Sequence, residues 1–232
     1  MNVIGLDACK MGWCGIGVIN KKIISDCFED LHDLTAKHPN LERILIDIPI
    51  GLSSKNFERT IDSQARQLLN KRKSSIFSPS CREALYANNY KEALAINKEI
   101  CGKGISIQAY NIGSKIKEVD EWYNTKPDRL QVYEAHPELC LKTLNQNTDL
   151  EFSKHDKAGI EERKKILFKH NNSLNEHFER LMKSFKRKDV KPDDILDAMS
   201  LFSINLRSKT LKYVQDENSI DETGKKVCIV YG

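Results

Sequence analysis

An acid embedded in the chain's opening apolar run is the feature that most constrains the fold. The first residues read Val3-Ile4-Gly5-Leu6-Asp7-Ala8-Cys9-Lys10-Met11-Gly12-Trp13, followed by Gly15-Ile16-Gly17-Val18-Ile19. A short apolar run, turn residues punctuated by glycine and a second β-rich run predict two strands joined by a tight connection. A carboxylate inside the first strand is unfavourable to desolvate unless a cation or a hydrogen-bond donor meets it. Asp7 is therefore a candidate metal ligand, or else a turn aspartate that accepts backbone N–H groups just past the strand.

The pattern continues with a third strand over 22–28 and a short helix over 29–37 that ends before Pro39. The run 43–52 is apolar without alternation, which predicts a strand buried on both faces. It carries Asp47 at its centre, and Pro49 stops further pairing. Helices are expected over 58–71, 92–100 and 107–122, separated by the polar segment 73–80 and by Gly102 and Gly104. Strand character returns over 130–135, where Glu134 lies near the end, and Pro137 is placed to open a helix to 144. Further helices are expected over 161–169 and 174–185. An apolar one, opened by Lys191-Pro192-Asp193-Asp194, runs to about 206, and two short strands close the chain over 211–214 and 227–231.

These elements predict an α/β protein with a mixed sheet flanked by helices. At 232 residues the chain fits one domain over 1–232 with a helical insertion over 55–125, and it can bury a substantial core. Charged residues at 30% and the hydrophobic class at 40% describe a globular chain rather than a disordered one. No apolar window approaches ~18 residues, so no membrane partner is expected. No charged leader precedes an apolar stretch, which points to a cytoplasmic protein without a cleaved signal. The seven cysteines are odd in number and never form C-x-x-C, so reduced thiols are expected rather than disulfides or a zinc site. The net charge of +4 permits contact with a polyanion without arguing for one, and the basic run 183–188 reads as a solvated helix end.

The acids gain meaning as a set. Asp7, Asp47 and Glu134 each lie in or at the end of an expected strand, and Asp194 and Asp197 share one face of the last helix. Carboxylates held together repel one another and rise in pKa unless a divalent cation compensates. Mg²⁺ or Mn²⁺ suits such oxygens, and two ions ~4 Å apart can clamp a phosphodiester during in-line displacement. Each acid also has a plainer role. Asp193 and Asp194 suit the first turn of a helix, Glu134 could pair with an arginine, and Asp47 could cap the turn after its strand.

The order strand-Asp, hairpin, third strand, helix, strand-Asp and a late Asp194-Ile195-Leu196-Asp197-Ala198 helix resembles the ribonuclease H-like fold. The segments Ile4-Gly5-Leu6-Asp7 with Gly12-Trp13, and 194–198, are similar to the first strand and final helix of RuvC-type junction resolvases. More closely, the chain resembles domain-of-unknown-function family 429, described as predicted ribonuclease H-like nucleases. The matching segments include Asp47-Ile48-Pro49-Ile50-Gly51-Leu52, Ala65-Arg66, Ser75-Ile76-Phe77-Ser78-Pro79 with Arg82, Ser106-Ile107-Gln108-Ala109 and 115–120. They continue with Tyr133-Glu134-Ala135-His136-Pro137-Glu138, Ser153-Lys154, Gly159 with Glu162-Arg163, and 194–198. The resemblance implies a divalent-metal-dependent nuclease or phosphodiesterase acting on nucleic acid, DNA or RNA, with metal ligands at Asp7, Asp47 or Glu134, and Asp194 or Asp197.

Arg66, Arg82 and Arg163 are planar donors suited to phosphate. Gln108 and Glu118 are expected to face the same cleft, His136 to act as a proton shuttle or ligand, and Lys154 to neutralise developing charge or simply to be solvated. The competing reading is a nucleotide- or phosphate-binding module on the same fold without hydrolysis. A homo-oligomer is compatible with either.

Overall fold

The computed structural model describes residues 1–207 and 211–232, leaving aside the side chains of residues 216–219. Strands β1 (Val3–Cys9), β2 (Gly12–Ile19) and β3 (Lys22–Phe28) form an antiparallel meander. Its second turn places Asn20 and Lys21 at φ 50° and 66°, the left-handed pair that a two-residue hairpin turn favours. Helix α1 (Leu31–Lys37) follows, capped by Asp30, whose side chain accepts the Asp33 N–H at 2.7 Å. It returns the chain to β4 (Arg43–Ile46), which lies parallel to β1.

Five helices come next: α2 (Ile61–Gln67), α3 (Arg82–Leu85), α4 (Tyr90–Cys101), α5 (Ile107–Asn111) and α6 (Gly113–Trp122), with a single 3₁₀ turn at Lys73–Ser75. Strand β5 (Gln131–Ala135) pairs parallel to β4. Helices α7 (Pro137–Leu144), α8 (Lys157–His170), α9 (Leu174–Ser184) and α10 (Pro192–Asn205) lead to a closing hairpin of β6 (Tyr213–Ile220) and β7 (Lys226–Val230). The seven-stranded mixed sheet has the order β3-β2-β1-β4-β5-β7-β6.

Alternation along β1 and β4 sorts the core into two layers. Val3 and Leu45 face α7 to α10, where they meet Leu141, Leu196 and Phe202. Ile4, Leu6, Ile44 and Ile46 face the opposite layer, with Leu31 and Leu34 of α1 and Ile116 and Trp122 of α6. Burial on both sides is why the segment 44–46 reads as an unbroken apolar run. Gly5 sets the closest approach between layers. A Cβ there would stand 2.3 Å from the Phe202 N and 2.5 Å from the Ala198 O, so only glycine lets the backbone of α10 rest on β1.

Several expected bounds shift for physical reasons. The strand expected over 43–52 ends at Ile46. Asp47 N still donates to the Leu6 O at 3.0 Å, but Pro49 has no N–H and Gly51 turns the chain at φ 77°. The helix expected over 58–71 contracts to Ile61–Gln67, because Arg59 is drawn inward onto the carbonyls of Ile50 and Gly51 at 2.9 and 3.0 Å. The helix expected over 107–122 is divided at Ile112 into α5 and α6, and α3 was not foreseen. The strand expected over 211–214 runs instead over Tyr213–Ile220. All seven cysteines are free, and among the described residues no helix is long and apolar enough to cross a membrane.

Candidate acidic site

The parallel strands β1, β4 and β5 end on the same edge of the sheet, where open α/β sheets bind ligands. A cleft of about 490 Å³ lies there, roofed by the 3₁₀ turn, the start of α5 and the loop before α8. The sheet supplies Asp7 from β1, Asp47 from just beyond β4, and Glu134 with His136 from the end of β5; α10 supplies Asp194 and Asp197. Gln108 and Lys154 also line it.

The acids fall into two groups by their partners. Asp7 is buried, and its Oδ1 accepts the N–H of Ala8 at 2.9 Å. Asp197 is buried too: its Oδ2 accepts from Lys154 Nζ at 2.6 Å, while its Oδ1 has no hydrogen-bond partner. Burial first, then the charges of Asp47 and Asp197, hold the Asp7 carboxyl well above the usual carboxylate range, and Lys154 partly offsets them. Burial followed by Asp197 pushes Asp47 up to about 7. Lys154 is raised in turn, chiefly by Asp197, and stays protonated. Its loop is anchored by Gly159 of α8, where a Cβ would strike the Ser153 O at 1.8 Å.

Glu134 and Asp194 are engaged by the protein. Both oxygens of Glu134 are occupied, one by Arg59 Nη2 at 2.7 Å and the other by the Ile50 N–H at 2.7 Å. Burial still pushes it up to about 7, against the lowering effect of Arg59. Asp194 accepts the Lys191 N–H at 2.9 Å and so caps α10, with burial raising it to about 6. Among the described residues, no group of three or more His, Cys, Asp or Glu side chains is arranged to enclose a metal ion. The donor set nevertheless has the chemistry of a hard-cation site: Asp7, Asp47 and Asp197 are mutually repelling carboxylates, and one buried oxygen of Asp197 is unpartnered.

The arginines expected at phosphate lie elsewhere. Arg66 braces the loop after the 3₁₀ turn, donating to the Ile76 O at 2.7 Å and the Ser78 Oγ at 2.9 Å. It lines a neighbouring cavity of about 870 Å³, which shares Ser74, Ile76 and Phe77 with the acidic cleft. Arg82 is held by Asp120 at 2.5 Å and Asp221 at 2.7 Å. Arg163 is fully buried, paired with Glu138 and donating to the Gly159 O. Glu118 also lies outside the cleft, accepting from Trp13 Nε1 at 2.6 Å and pairing with Lys115.

His136 stays in the cleft wall. Its Nε2 donates to the Ser75 O at 3.2 Å, which assigns the lone pair to Nδ1, a buried atom without a partner. Burial lowers its pKa, so the ring is neutral near pH 7. Arg59, Asp62, Arg72 and Glu138 line or support the cleft and were missed from sequence. Glu138 was visible only as a neighbour of His136, and nothing in the spacing of the other three pointed to the site.

A family model described as a protein of unknown function (DUF429) matches residues 5–207, and the chain belongs to that family. Comparison with curated proteins and with solved structures gave no match.

Proposed function

We propose that this member of the DUF429 family is a divalent-metal-dependent phosphodiesterase of ribonuclease H-like architecture that cleaves nucleic acid. The observation that carries the reading is the meeting of Asp7, Asp47 and Asp197 in one cleft at the ends of β1 and β4 and on α10, where the charges of Asp47 and Asp197 raise Asp7 and that of Asp197 raises Asp47. The sheet order β3-β2-β1-β4-β5, with an antiparallel meander followed by parallel strands, supports the ribonuclease H-like part.

In this reading Asp7, Asp47 and Asp197 would hold Mg²⁺ or Mn²⁺. Bound there, the ion would supply charge stabilisation at the phosphate and make a water easier to deprotonate for attack. Glu134 acts at one remove: clamped by Arg59 and the Ile50 N–H, it fixes the bend that carries Asp47 away from β4. Lys154 Nζ, held on Asp197, places positive charge where a phosphate oxygen becomes more negative. His136 Nδ1 offers an acceptor to a water or hydroxyl in the cleft.

One observation favours a second reading, a phosphate- or nucleotide-binding module without hydrolysis. Lys154 already supplies a cation to the carboxylates, and no three of them are disposed to enclose an ion among the described residues. Purified protein incubated with labelled single-stranded, duplex and branched DNA and RNA in Mg²⁺, Mn²⁺, Ca²⁺ or EDTA separates the two. Cleavage in Mg²⁺ or Mn²⁺ that is absent in EDTA and in Asp7→Asn is the expected result. Tight nucleotide binding with no cleavage of any substrate would favour the module.

A further inference from the structure

We propose that Arg72 is a phosphate-binding residue of the cleft, taking the phosphate next to the reacting one on a polynucleotide strand; this rests on the phosphodiester reading above. A polyanion approaching the seven carboxylates that line the cleft meets repulsion except where a cation receives it. Arg66, Arg82 and Arg163 are spent on loops and internal acids.

Arg72 differs from them. It lines the cleft, and its guanidinium, buried Nε–H included, makes no hydrogen bond among the described residues. The buried Nε–H groups of Arg82 and Arg163 are also unpartnered, but the terminal nitrogens of both are held by acids. The carboxylate oxygen nearest to Arg72, Glu138 Oε2, is 3.9 Å away, beyond hydrogen-bond reach. Glu138 already has a full counter-charge in the buried Arg163. A buried donor left unmade calls for a water, an ion or a ligand to complete it, and a guanidinium is matched in shape to a phosphate.

The surroundings agree. Arg72 sits at φ 60° and ψ 27°, a left-handed backbone uncommon for a residue with a side chain, and it opens the 3₁₀ turn Lys73–Ser75. Ser74 and Ser75 of that turn line the same cleft, and Lys71 and Lys73 beside it are exposed. The cleft thus presents Arg72 and the serines of the turn as donors alongside the carboxylates of Asp7, Asp47 and Asp197. A donor set beside the acids suits a substrate with at least two phosphates in sequence, rather than one isolated phosphodiester.

The test measures anisotropy of labelled 12-nucleotide single strands of DNA and RNA with the full-length protein in Ca²⁺, from 50 to 200 mM salt. Arg72→Gln is expected to weaken binding roughly tenfold and to reduce the salt slope by about 0.7, the contribution of one single-strand phosphate. Arg72→Lys should keep the slope, and Lys98→Gln, which removes an exposed charge from α4, should leave binding unchanged. Melting temperatures of the three variants within 2–3 °C of the parent, about 1 kcal/mol, separate lost contact from lost fold. Equal affinity and slope in Arg72→Gln, an equal loss in Lys98→Gln, or no binding by the parent would each overturn the proposal. Cleavage is scored separately. Arg72-dependent binding without cleavage removes the hydrolytic reading and leaves Arg72 standing, whereas cleavage with Arg72-independent binding does the reverse.

Discussion

Lys154 Nζ lies 2.6 Å from Asp197 Oδ2, an ion pair between an exposed loop and the buried face of α10. The lysine side chain is about one-third exposed while the aspartate is almost wholly buried, so the loop brings the charge to the acid. Removing one partner of such a pair leaves a buried charge uncompensated. Lys154→Met is therefore expected to melt below the parent in EDTA at pH 8. Added Mg²⁺ should raise its melting temperature by more than it raises the parent's. An equal metal shift in both proteins would show that Lys154 and the cation act on different groups.

Asp7 is expected to matter most for metal. Asp7→Asn keeps the shape and removes a charge that burial and three neighbouring acids already oppose. Calorimetric titration with Mn²⁺ should show affinity reduced at least tenfold and cleavage lost, while the variant melts higher than the parent in EDTA. Unchanged Mn²⁺ affinity would leave Asp7 as a turn residue bonded to Ala8.

Asp194 and Asp197 of α10 should separate cleanly. Asp194 caps the helix through the Lys191 N–H, so Asp194→Ala is expected to lose about 1 kcal/mol of stability and keep metal binding. Asp197→Asn should lose metal binding and activity, since its Oδ1 is buried without a hydrogen-bond partner. Urea unfolding and Mn²⁺ titration on both variants give the comparison, and an equal loss of metal affinity would contradict the assignment.

The pH dependence follows from the direction of the shifts. Asp47 has its folded pKa raised to about 7 from an ordinary value of 3.8, so the folded protein holds a proton that the unfolded chain has released. Its contribution is fully present below the unfolded value and is lost as pH rises through about 7. In EDTA, Asp47→Asn should therefore gain on the parent between pH 5 and pH 8. The melting-temperature difference is expected to widen by roughly 5 °C, on the scale of 2–4 °C per kcal/mol for a chain of this size. A difference that does not vary with pH would mean that Asp47 ionises freely.

Much of the fold was legible because β1 to β5 carry their burial in their spelling. The opening hairpin, the unbroken run ending at Ile46 and the apolar last helix each fix a face or a layer. The same runs display Asp7, Asp47 and Asp197 as exceptions within apolar surroundings, so the acids stood out. The arginines did not resolve themselves, because a guanidinium that braces a loop and one that meets a ligand look alike in sequence. Arg59 and Glu134 are 75 residues apart, and their pairing exists only once the chain turns at Gly51. Arg72 was hidden for the same reason: its missing acceptor can be seen only in three dimensions.

Gly5 carries a consequence for how such a site can change. Its bare Cα lets α10 settle on β1, and Asp7 and Asp197 lie two residues along β1 and one residue before Ala198 from that contact. The spacing of the two acids is thus inherited from a contact between main chains, not tuned by the side chains around them. A mutation that pushed the layers apart would loosen the core and separate the acids in the same movement. Integrity of the scaffold and alignment of the site are here one trait, open to selection only together.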